Sequence, residues 1–422
     1  MIKILLIGSG AREDAIAKAC KKSGHTNEIF CFASNFNPGI MELAKECTIG
    51  KINDTSNIAD FALKYKVDFA IIGPEAALAA GVTDALEKKG IPTIGPTKEL
   101  AQIETSKSWA RNLLDKYNID ISPEYSICST MNEAKKMLAK LGDHYVIKAD
   151  GLKGGKGVKV SGEHLMNHQE ALNYCQELID EKSLFTIEEK LVGEEFSLLS
   201  FTDGKNSIHM PPIRDHKRAW PGDLGPNTGG MGSYSLANHL LPFLTQKDVE
   251  EAKSYNEKTI AALHQETRGY YQGILYGGYI KTKDGVKLIE YNARFGDPEV
   301  INILALLETD FIDICHAIFD QNLPEIKVEF AKKATVCKYI VPEGYPENSV
   351  VNGEIDLSLL PNTNNIYFAS VNVKDNKIYT GSSRALTVLG VANTIKEAEK
   401  IAEDMAGKIK GPVFYRQDIG KL

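Results

Sequence analysis

Leu288-Ile-Glu-Tyr-Asn-Ala-Arg-Phe-Gly-Asp-Pro-Glu299 is the stretch on which the reading of this chain turns. Leu288, Ile289 and Tyr291 around Glu290 predict the end of a β-strand. Such a strand sends Glu290 and Asn292, two residues apart, off the same face. A carboxylate beside a carboxamide offers hard oxygen ligands, the kind Mg²⁺ takes while it also holds nucleotide phosphates. Arg294 adds a cation two residues on, and Gly296-Asp-Pro298 turns the chain sharply. Glu-x-Asn by itself favours a surface hairpin with outward polar side chains. The rest of the chain tips the balance toward a metal site.

At 422 residues the chain should form two to four domains. Its hydrophobic content of 43% and charged content of 25% place it among soluble globular proteins. A formal net charge of −7 argues against a general nucleic-acid surface, though not against local basic pockets for phosphate. Seven scattered cysteines, an odd total with no Cys-x-x-Cys pair, suit buried thiols in a reducing compartment better than disulfides or a zinc site. The apolar start, Met1-Ile-Lys-Ile-Leu-Leu-Ile-Gly8, is too short for a signal peptide, and no apolar run approaches the ~20 residues of a membrane span. A cytoplasmic protein with neither a membrane nor a nucleic-acid partner is expected.

The first hundred residues alternate strand and helix. Residues 3–7 are apolar after the first, which suits a central parallel strand buried on both faces. A helix is predicted over 15–22, strands over 28–32 and 67–72, a helix over 76–89 and a short strand over 92–94. This is a doubly wound α/β unit. Residues 97–117 read as one or two helices. From about Ile121 hairpin strands appear at 144–149 and 157–161, then a helix over 167–180 and strands at 184–189, 195–202 and 207–211. The Gly/Pro-rich segment 214–234 has no period and is expected to be a functional loop rather than a linker. A helix over 246–265, strands at 273–281 and 287–292, and helices within 298–319 follow. Short strands (334–341, 366–373, 384–391) and a helix over 396–409 complete the chain, which has no internal repeat.

Gly8-Ser-Gly10-Ala-Arg-Glu13 follows the first strand and opens a helix, where backbone amides can hold an anion. Glu13 at the sixth position leaves the dinucleotide fingerprint incomplete, which lowers a nicotinamide reading. A phosphate site helped by Arg12 and a tight turn without ligand stand about equal on this motif alone. In Lys148-Ala-Asp-Gly-Leu-Lys-Gly-Gly-Lys-Gly157, glycines let the backbone approach phosphate and lysines neutralise its charge. No Gly-Lys-Ser/Thr occurs and a strand follows, so this is not a Walker A loop. Lys148 is the better-fixed charge and Lys156 the mobile one; a solvated basic hairpin is the weaker alternative. Thr186-Ile-Glu-Glu-Lys-Leu-Val-Gly-Glu-Glu195 could offer carboxylates to ribose and backbone to an adenine edge, although an acidic solvent-facing turn explains it better on its own. Arg214-Asp-His-Lys-Arg218 and Gly225-Pro-Asn-Thr-Gly-Gly-Met-Gly232 suit a phosphorylated, hydroxyl-rich substrate. His216, between charged residues, reads as a hydrogen-bonding partner rather than an acid–base catalyst.

These pieces, in this order, resemble an ATP-grasp domain: Lys107 in Thr-Ser-Lys, Lys148 in Val-Ile-Lys-Ala-Asp-Gly, the glycine-rich hairpin, Ile187-Glu-Glu189 with Gly-Glu-Glu195, and Glu290-Tyr-Asn292. Gly73-Pro-Glu75, Asp215-His-Lys-Arg218, Gly225–Gly232, Arg294–Glu299 and Tyr415-Arg-Gln-Asp-Ile-Gly420 narrow the resemblance to the phosphoribosylamine–glycine ligase family, over nearly the whole chain. Ala11 stands where that family usually has Gly, Asp14 where it has His, Lys153 for Ala, Leu224 for Thr and Ala293 for Cys.

The resemblance implies an N-terminal α/β domain (1–103), a helical connection (104–120), an ATP-grasp lid (121–190) and central subdomain (191–326), and a small C-terminal α+β domain (327–422). It implies ligation of glycine to 5-phospho-β-D-ribosylamine through glycyl phosphate, with ATP and Mg²⁺ or Mn²⁺, by a monomer. Lys107, Lys148 and Lys156 would take the nucleotide phosphates, and Glu188, Glu195 and the backbone near Lys190 and Leu191 the adenosine. Glu290 and Asn292 would hold the metal. Gly10, Arg12, Pro74, Glu75, Asn227, Thr228, Gly230, Met231 and Gly232 would enclose the phosphoribosylamine, with Asp215 and Arg294 at the chemistry. Two other readings remain: a different ATP-grasp carboxylate–amine ligase, which should lack the Asp-His-Lys-Arg and Gly-Pro-Asn-Thr words, or a nicotinamide-dependent dehydrogenase resting on 8–13 alone.

Overall fold

The computed structural model describes residues 1–154 and 157–422, so Lys156 lies outside the described residues. The N-terminal sheet is parallel and five-stranded, in the spatial order Ala44–Ile49, Asn27–Ala33, Ile2–Ile7, Phe69–Ile72, Thr93–Ile94. Ile4, Leu5, Leu6 and Ile7 are all buried, as a central strand covered on both faces requires. The first helix, Ala11–Lys22, begins four residues earlier than its apolar pattern suggests. Its start is set by Glu13, whose Oε2 accepts the Gly10 N–H at 2.5 Å and so satisfies an otherwise orphaned donor. The expected helix over 76–89 is two helices, Glu75–Ala80 and Val82–Glu87, because Gly81 between them has φ +86°, a left-handed conformation that ends the first. Ala44–Ile49 was not anticipated: this exposed edge strand carries neither a period nor an apolar run.

The lid sheet runs Tyr125–Cys128, Phe185–Glu189, Tyr145–Ala149, Val158–Val160, all antiparallel, under the helices Met131–Leu141 and His168–Asp180. Its core, including Met137, Tyr145, Ile147, Cys175, Phe185 and Ile187, is separate from the main hydrophobic cluster. That main cluster is continuous from Ile4 to Ile419 through every other part of the molecule. The central sheet orders Ser207–His209, Glu194–Asp203, Gln272–Thr282 and Gly285–Asn292, with the helix Gln246–Thr267 beside it.

The segment expected as one long loop carries the short strands Arg214–Asp215, Arg218–Trp220, Leu224–Asn227 and Gly232–Ser235. Gly232–Ser235 pairs with Ala334–Pro342, so this segment shares one mixed-origin sheet with the C-terminal strands Leu386–Ala392 and Ile366–Phe368. All seven cysteines are free thiols, and among the described residues no helix is long and apolar enough to cross a membrane.

Candidate active site

The site is built around the end of Gly285–Asn292. Gly278 pairs with Glu290 but Tyr279 pairs with Leu288, so Ile289 is the extra residue of a β-bulge. Glu290 and Asn292 emerge half-buried, while Tyr291 turns inward, its hydroxyl 2.8 Å from Thr259 Oγ1. The Ile289 carbonyl accepts from Lys148 Nζ at 3.1 Å and from Arg111 Nη2 at 3.0 Å. Both cations also meet Glu188. Arg111 donates from Nε to Oε1 (3.0 Å) and from Nη2 to Oε2 (2.8 Å), and Lys148 Nζ lies 2.7 Å from Oε2. Burial pushes the Glu188 carboxyl up, but Arg111 and Lys148 outweigh it and hold the group at about 2. Lys148 is held below the usual lysine range, by burial first, with Glu188 opposing and Arg111 assisting.

Lys107 begins the helix Lys107–Lys116, which Ser106 caps by accepting the Trp109 N–H. Asp150, at the foot of the glycine-rich loop, accepts the Lys107 N–H at 2.6 Å and the Ser106 hydroxyl at 3.0 Å. Lys107 Nζ donates to the Gly151 carbonyl at 3.1 Å. Lys107 and Lys148 therefore flank that loop from two elements. The Lys190 N–H donates to His144 O at 3.1 Å.

Arg294 is held between two carboxylates, with Nη2 3.0 Å from Glu104 Oε1 and Nε 3.4 Å from Glu75 Oε2. Glu104 also accepts the Ala293 N–H at 2.7 Å, and Arg12 Nη1 lies 3.9 Å from Glu75 Oε2. Burial raises the Glu75 carboxyl, but Arg294 and then Arg12 bring it down to about 2. This cluster stands at the carboxyl ends of Ile2–Ile7 and Phe69–Ile72, the switch-point crevice where open α/β sheets bind ligands. Gly10 contributes less than its motif promised. Glu13 fills the space between Gly10 and Gly73, where a Cβ at Gly73 would fall 2.0 Å from Glu13 Oε1. An internal carboxylate thus occupies the turn that a dinucleotide pyrophosphate would need.

On the remaining side, Lys217 Nζ lies 3.3 Å from Glu195 Oε2 and 3.8 Å from Asp215 Oδ2. Asp215 and then Glu195 raise Lys217 well above its usual range against the opposing effect of burial. Glu299 accepts from Tyr276 OH at 2.9 Å, and burial together with the Asp215 charge raises it to about 7. Glu290 faces all of this. Burial raises its carboxyl, but Lys217, Lys148, Lys107 and Arg294 together hold it below the usual range, although it forms no ion pair among the described residues. An ionised carboxylate and a carboxamide on one face, neither tied to a protein partner among the described residues, fit a hard divalent cation.

Three family models, all of phosphoribosylglycinamide synthetase, match the chain: the N domain over residues 2–104, the ATP-grasp (A) domain over 105–300 and the C domain over 335–422. The chain belongs to the phosphoribosylglycinamide synthetase family. It is 48% identical over 419 residues to the phosphoribosylamine–glycine ligase of Methanosarcina barkeri, covering 99% of this chain and 96% of that one. It is likewise 48% identical over 431 residues to that of Methanocaldococcus jannaschii, covering 100% and 96%. The crystal structure of phosphoribosylamine–glycine ligase from Thermotoga maritima matches with a TM-score of 0.84 at 28% identity, over 99% of this chain and 100% of that one.

Two residues expected at the substrate, Met231 and Gly232, are buried in the framework of this member of the synthetase family. Met231 is fully buried, with its carbonyl accepting the Tyr339 N–H at 2.9 Å, and Gly232 pairs with Lys338 in the sheet. In that stretch Asn227 and Gly229 are exposed and Thr228 is half-buried, while Gly230, Met231 and Gly232 are buried. His216 proves a hydrogen-bonding partner: Nδ1 lies 3.1 Å from Asp223 Oδ1, and Arg416 Nη1 bonds the same aspartate at 2.7 Å. Five residues of the cluster had no role in the sequence reading. Arg111, Glu104 and Arg384 sit in segments that no motif marked, while Lys217 and Asp297 stand inside quoted words without having been given a role. Arg384 Nη1 donates to Gly229 O at 2.7 Å and Nη2 lies 3.0 Å from Asp297 Oδ2, clipping two turns of the site together from the C-terminal side. Lys107 to Arg111 is a helical i, i+4 spacing that placed both on one face, and that was the one signal available for Arg111.

Proposed function

We propose that the chain joins glycine to 5-phospho-β-D-ribosylamine, converting ATP to ADP and phosphate, in the purine-biosynthetic step for which its relatives are named. The observation that carries the reading is the place of Glu290, a carboxylate at the end of Gly285–Asn292 next to the Ile289 carbonyl that Lys148 and Arg111 bond. Lys107 and Lys148, with Lys156, are assigned to the nucleotide phosphates. Glu195 is assigned to the ribose, and the Lys190 carbonyl and Leu191 N–H to the adenine edge. Glu188, enclosed by Arg111, Lys148 and Thr186, acts behind Lys148 rather than on the nucleoside. Glu290 and Asn292 would hold Mg²⁺ or Mn²⁺, which when bound neutralises phosphate charge and polarises the transferring phosphoryl group.

In the proposed reaction a glycine carboxylate oxygen attacks the γ-phosphorus while the bond to the ADP oxygen breaks. The ribosylamine nitrogen then attacks the acyl carbon of glycyl phosphate, phosphate departs with the carbon–oxygen bond, and the amine loses its proton. No protein nucleophile is required. The chain contributes alignment and charge neutralisation. Arg294 is oriented by Glu75 and Glu104 before any substrate binds, and Asp215 supplies negative charge beside the amine site. Gly10, Arg12, Pro74, Glu75, Asn227, Thr228 and Gly230 line the substrate side, and the chain acts as a monomer.

The test compares two variants. Asp215→Asn should weaken or abolish product formation in a glycine- and phosphoribosylamine-dependent ADP-release assay, with ATP affinity by calorimetry near wild type. Lys148→Ala should do the reverse, losing charge-assisted phosphate contacts of about 1.5–3 kcal/mol. Equal losses of ATP affinity in both would refute the division into nucleotide and substrate sides.

A further inference from the structure

We infer that Arg111 is a positioning residue for Lys148, holding its ammonium in place for the nucleotide phosphates through the two partners they share. The inference deepens the nucleotide assignment proposed above and rests on it. Arg111 Nη2 and Lys148 Nζ share two acceptors: Glu188 Oε2, at 2.8 and 2.7 Å, and the Ile289 carbonyl, at 3.0 and 3.1 Å. The result is a four-cornered ring with the cations at opposite corners. A lysine ammonium carries three N–H groups. One of them goes to the Ile289 carbonyl, and Glu188 holds the ammonium as an ion pair.

The corners come from different parts of the chain. Arg111 lies on the helix Lys107–Lys116, Lys148 and Glu188 lie on neighbouring lid strands, and Ile289 is the bulged residue of the central strand. In the lid ladder Lys148 stands opposite Thr186 and Val146 opposite Glu188, so Lys148 and Glu188 meet on the diagonal rather than face to face. A diagonal pair alone would leave the ammonium free to swing between the two carboxylate oxygens. Arg111 prevents this by taking Oε1 with Nε and sharing Oε2 with Nη2. Its Nη1 reaches Ser122 Oγ at 3.4 Å, and the side chain is buried, so Arg111 itself touches no ligand. Only a planar guanidinium fork can meet both carboxylate oxygens and the bulge carbonyl together; a lysine at 111 would keep the charge and lose that geometry.

A double-mutant cycle, read by calorimetric binding of a non-hydrolysable ATP analogue with Mg²⁺, tests this. Lys148→Met should weaken binding by about 10- to 100-fold. Arg111→Met and Arg111→Lys should each weaken it by about fivefold or more, yet add less than about twofold in the Lys148→Met background, because the effect passes through Lys148. The KM values for glycine and phosphoribosylamine should stay within about twofold of wild type in both Arg111 variants. If Arg111→Met does not fold, Arg111→Lys carries the cycle. Losses that multiply in the double variant, or wild-type affinity in Arg111→Lys, would overturn this inference while leaving the nucleotide assignment standing. Wild-type affinity in Lys148→Met would overturn both.

Discussion

Replacing Glu188 by glutamine preserves the shape of a buried side chain and removes the one anion that Arg111 and Lys148 share. The two cations would then face each other with the Ile289 carbonyl as their remaining common acceptor. Removing one partner from a buried ion pair costs about 3–5 kcal/mol, chiefly because the remaining charge is uncompensated. The depression of the Glu188 carboxyl by the same two cations gives a figure of the same order. A carboxyl lowered from 4.5 to about 2 corresponds to roughly 3 kcal/mol. The sign follows from the direction of the shift. A group depressed in the fold stabilises it above its unfolded pKa, and that contribution is lost as pH falls toward the folded value. The variant's deficit should therefore be complete at neutral pH and should shrink below about pH 4.5. Urea unfolding of wild type and Glu188→Gln at both pH values measures it.

The variant has one inexpensive relief, deprotonation of Lys148, which burial and Arg111 already hold below the usual range. Without Glu188 that group falls further. Affinity for a non-hydrolysable ATP analogue with Mg²⁺ should then decline as pH rises from about 6 to about 9, by about tenfold or more, whereas the wild type stays nearly level. Calorimetric titration across that range reads the effect. A pH profile in Glu188→Gln that parallels wild type would refute the idea that Glu188 keeps Lys148 charged, even if the variant proved less stable.

The metal assignment predicts that Glu290→Gln lowers turnover by about 10²- to 10³-fold at saturating ATP with the fold intact, while raising the Mg²⁺ needed for half-maximal ADP release; unchanged ADP release would remove Glu290 from the metal. Glu299, raised to about 7 by burial and the Asp215 charge, is protonated in the fold below that value, so its contribution to stability is full below about pH 4.5 and is lost between there and pH 7. Glu299→Gln, a permanent mimic of the protonated form, should accordingly be more stable than wild type above pH 7 by on the order of 2–3 kcal/mol and equal to it below about pH 4.5, as thermal unfolding would show. The lid has its own core, so it can move as a body, and tryptic cleavage at Lys153 should slow when ATP and Mg²⁺ are present. Equal cleavage rates with and without nucleotide would count against closure.

Much of the fold was legible because the physics that sets it is local. The apolar run 4–7, buried on both faces, wrote its structure into consecutive residues. Strand Ala44–Ile49 was missed because an edge strand held by one neighbour needs no apolar signature, and the helix break at Gly81 hides within an otherwise continuous pattern. The places of Glu290, Asn292, Lys107 and Lys148 at or near the ends of their elements were readable from charge and local pattern. The burial of Met231 and the sheet pairing of Gly232 were not readable, because a Gly-rich word describes the backbone's freedom, not the side of the sheet that it faces.

Sequence by itself determined which elements form and which chemical groups they carry, since hydrophobic period, caps and turn residues act over a few positions. Tertiary structure decided which groups meet. Arg111, Glu188 and the Ile289 carbonyl are separated by 77 and 178 residues along the chain from Arg111 and yet close one ring. That closure depends on a one-residue slip in a β-ladder and on a helix crossing the foot of the lid. Neither is encoded at any single position, because a bulge's register and a helix's docking are set by the sum of packing contacts on both sides.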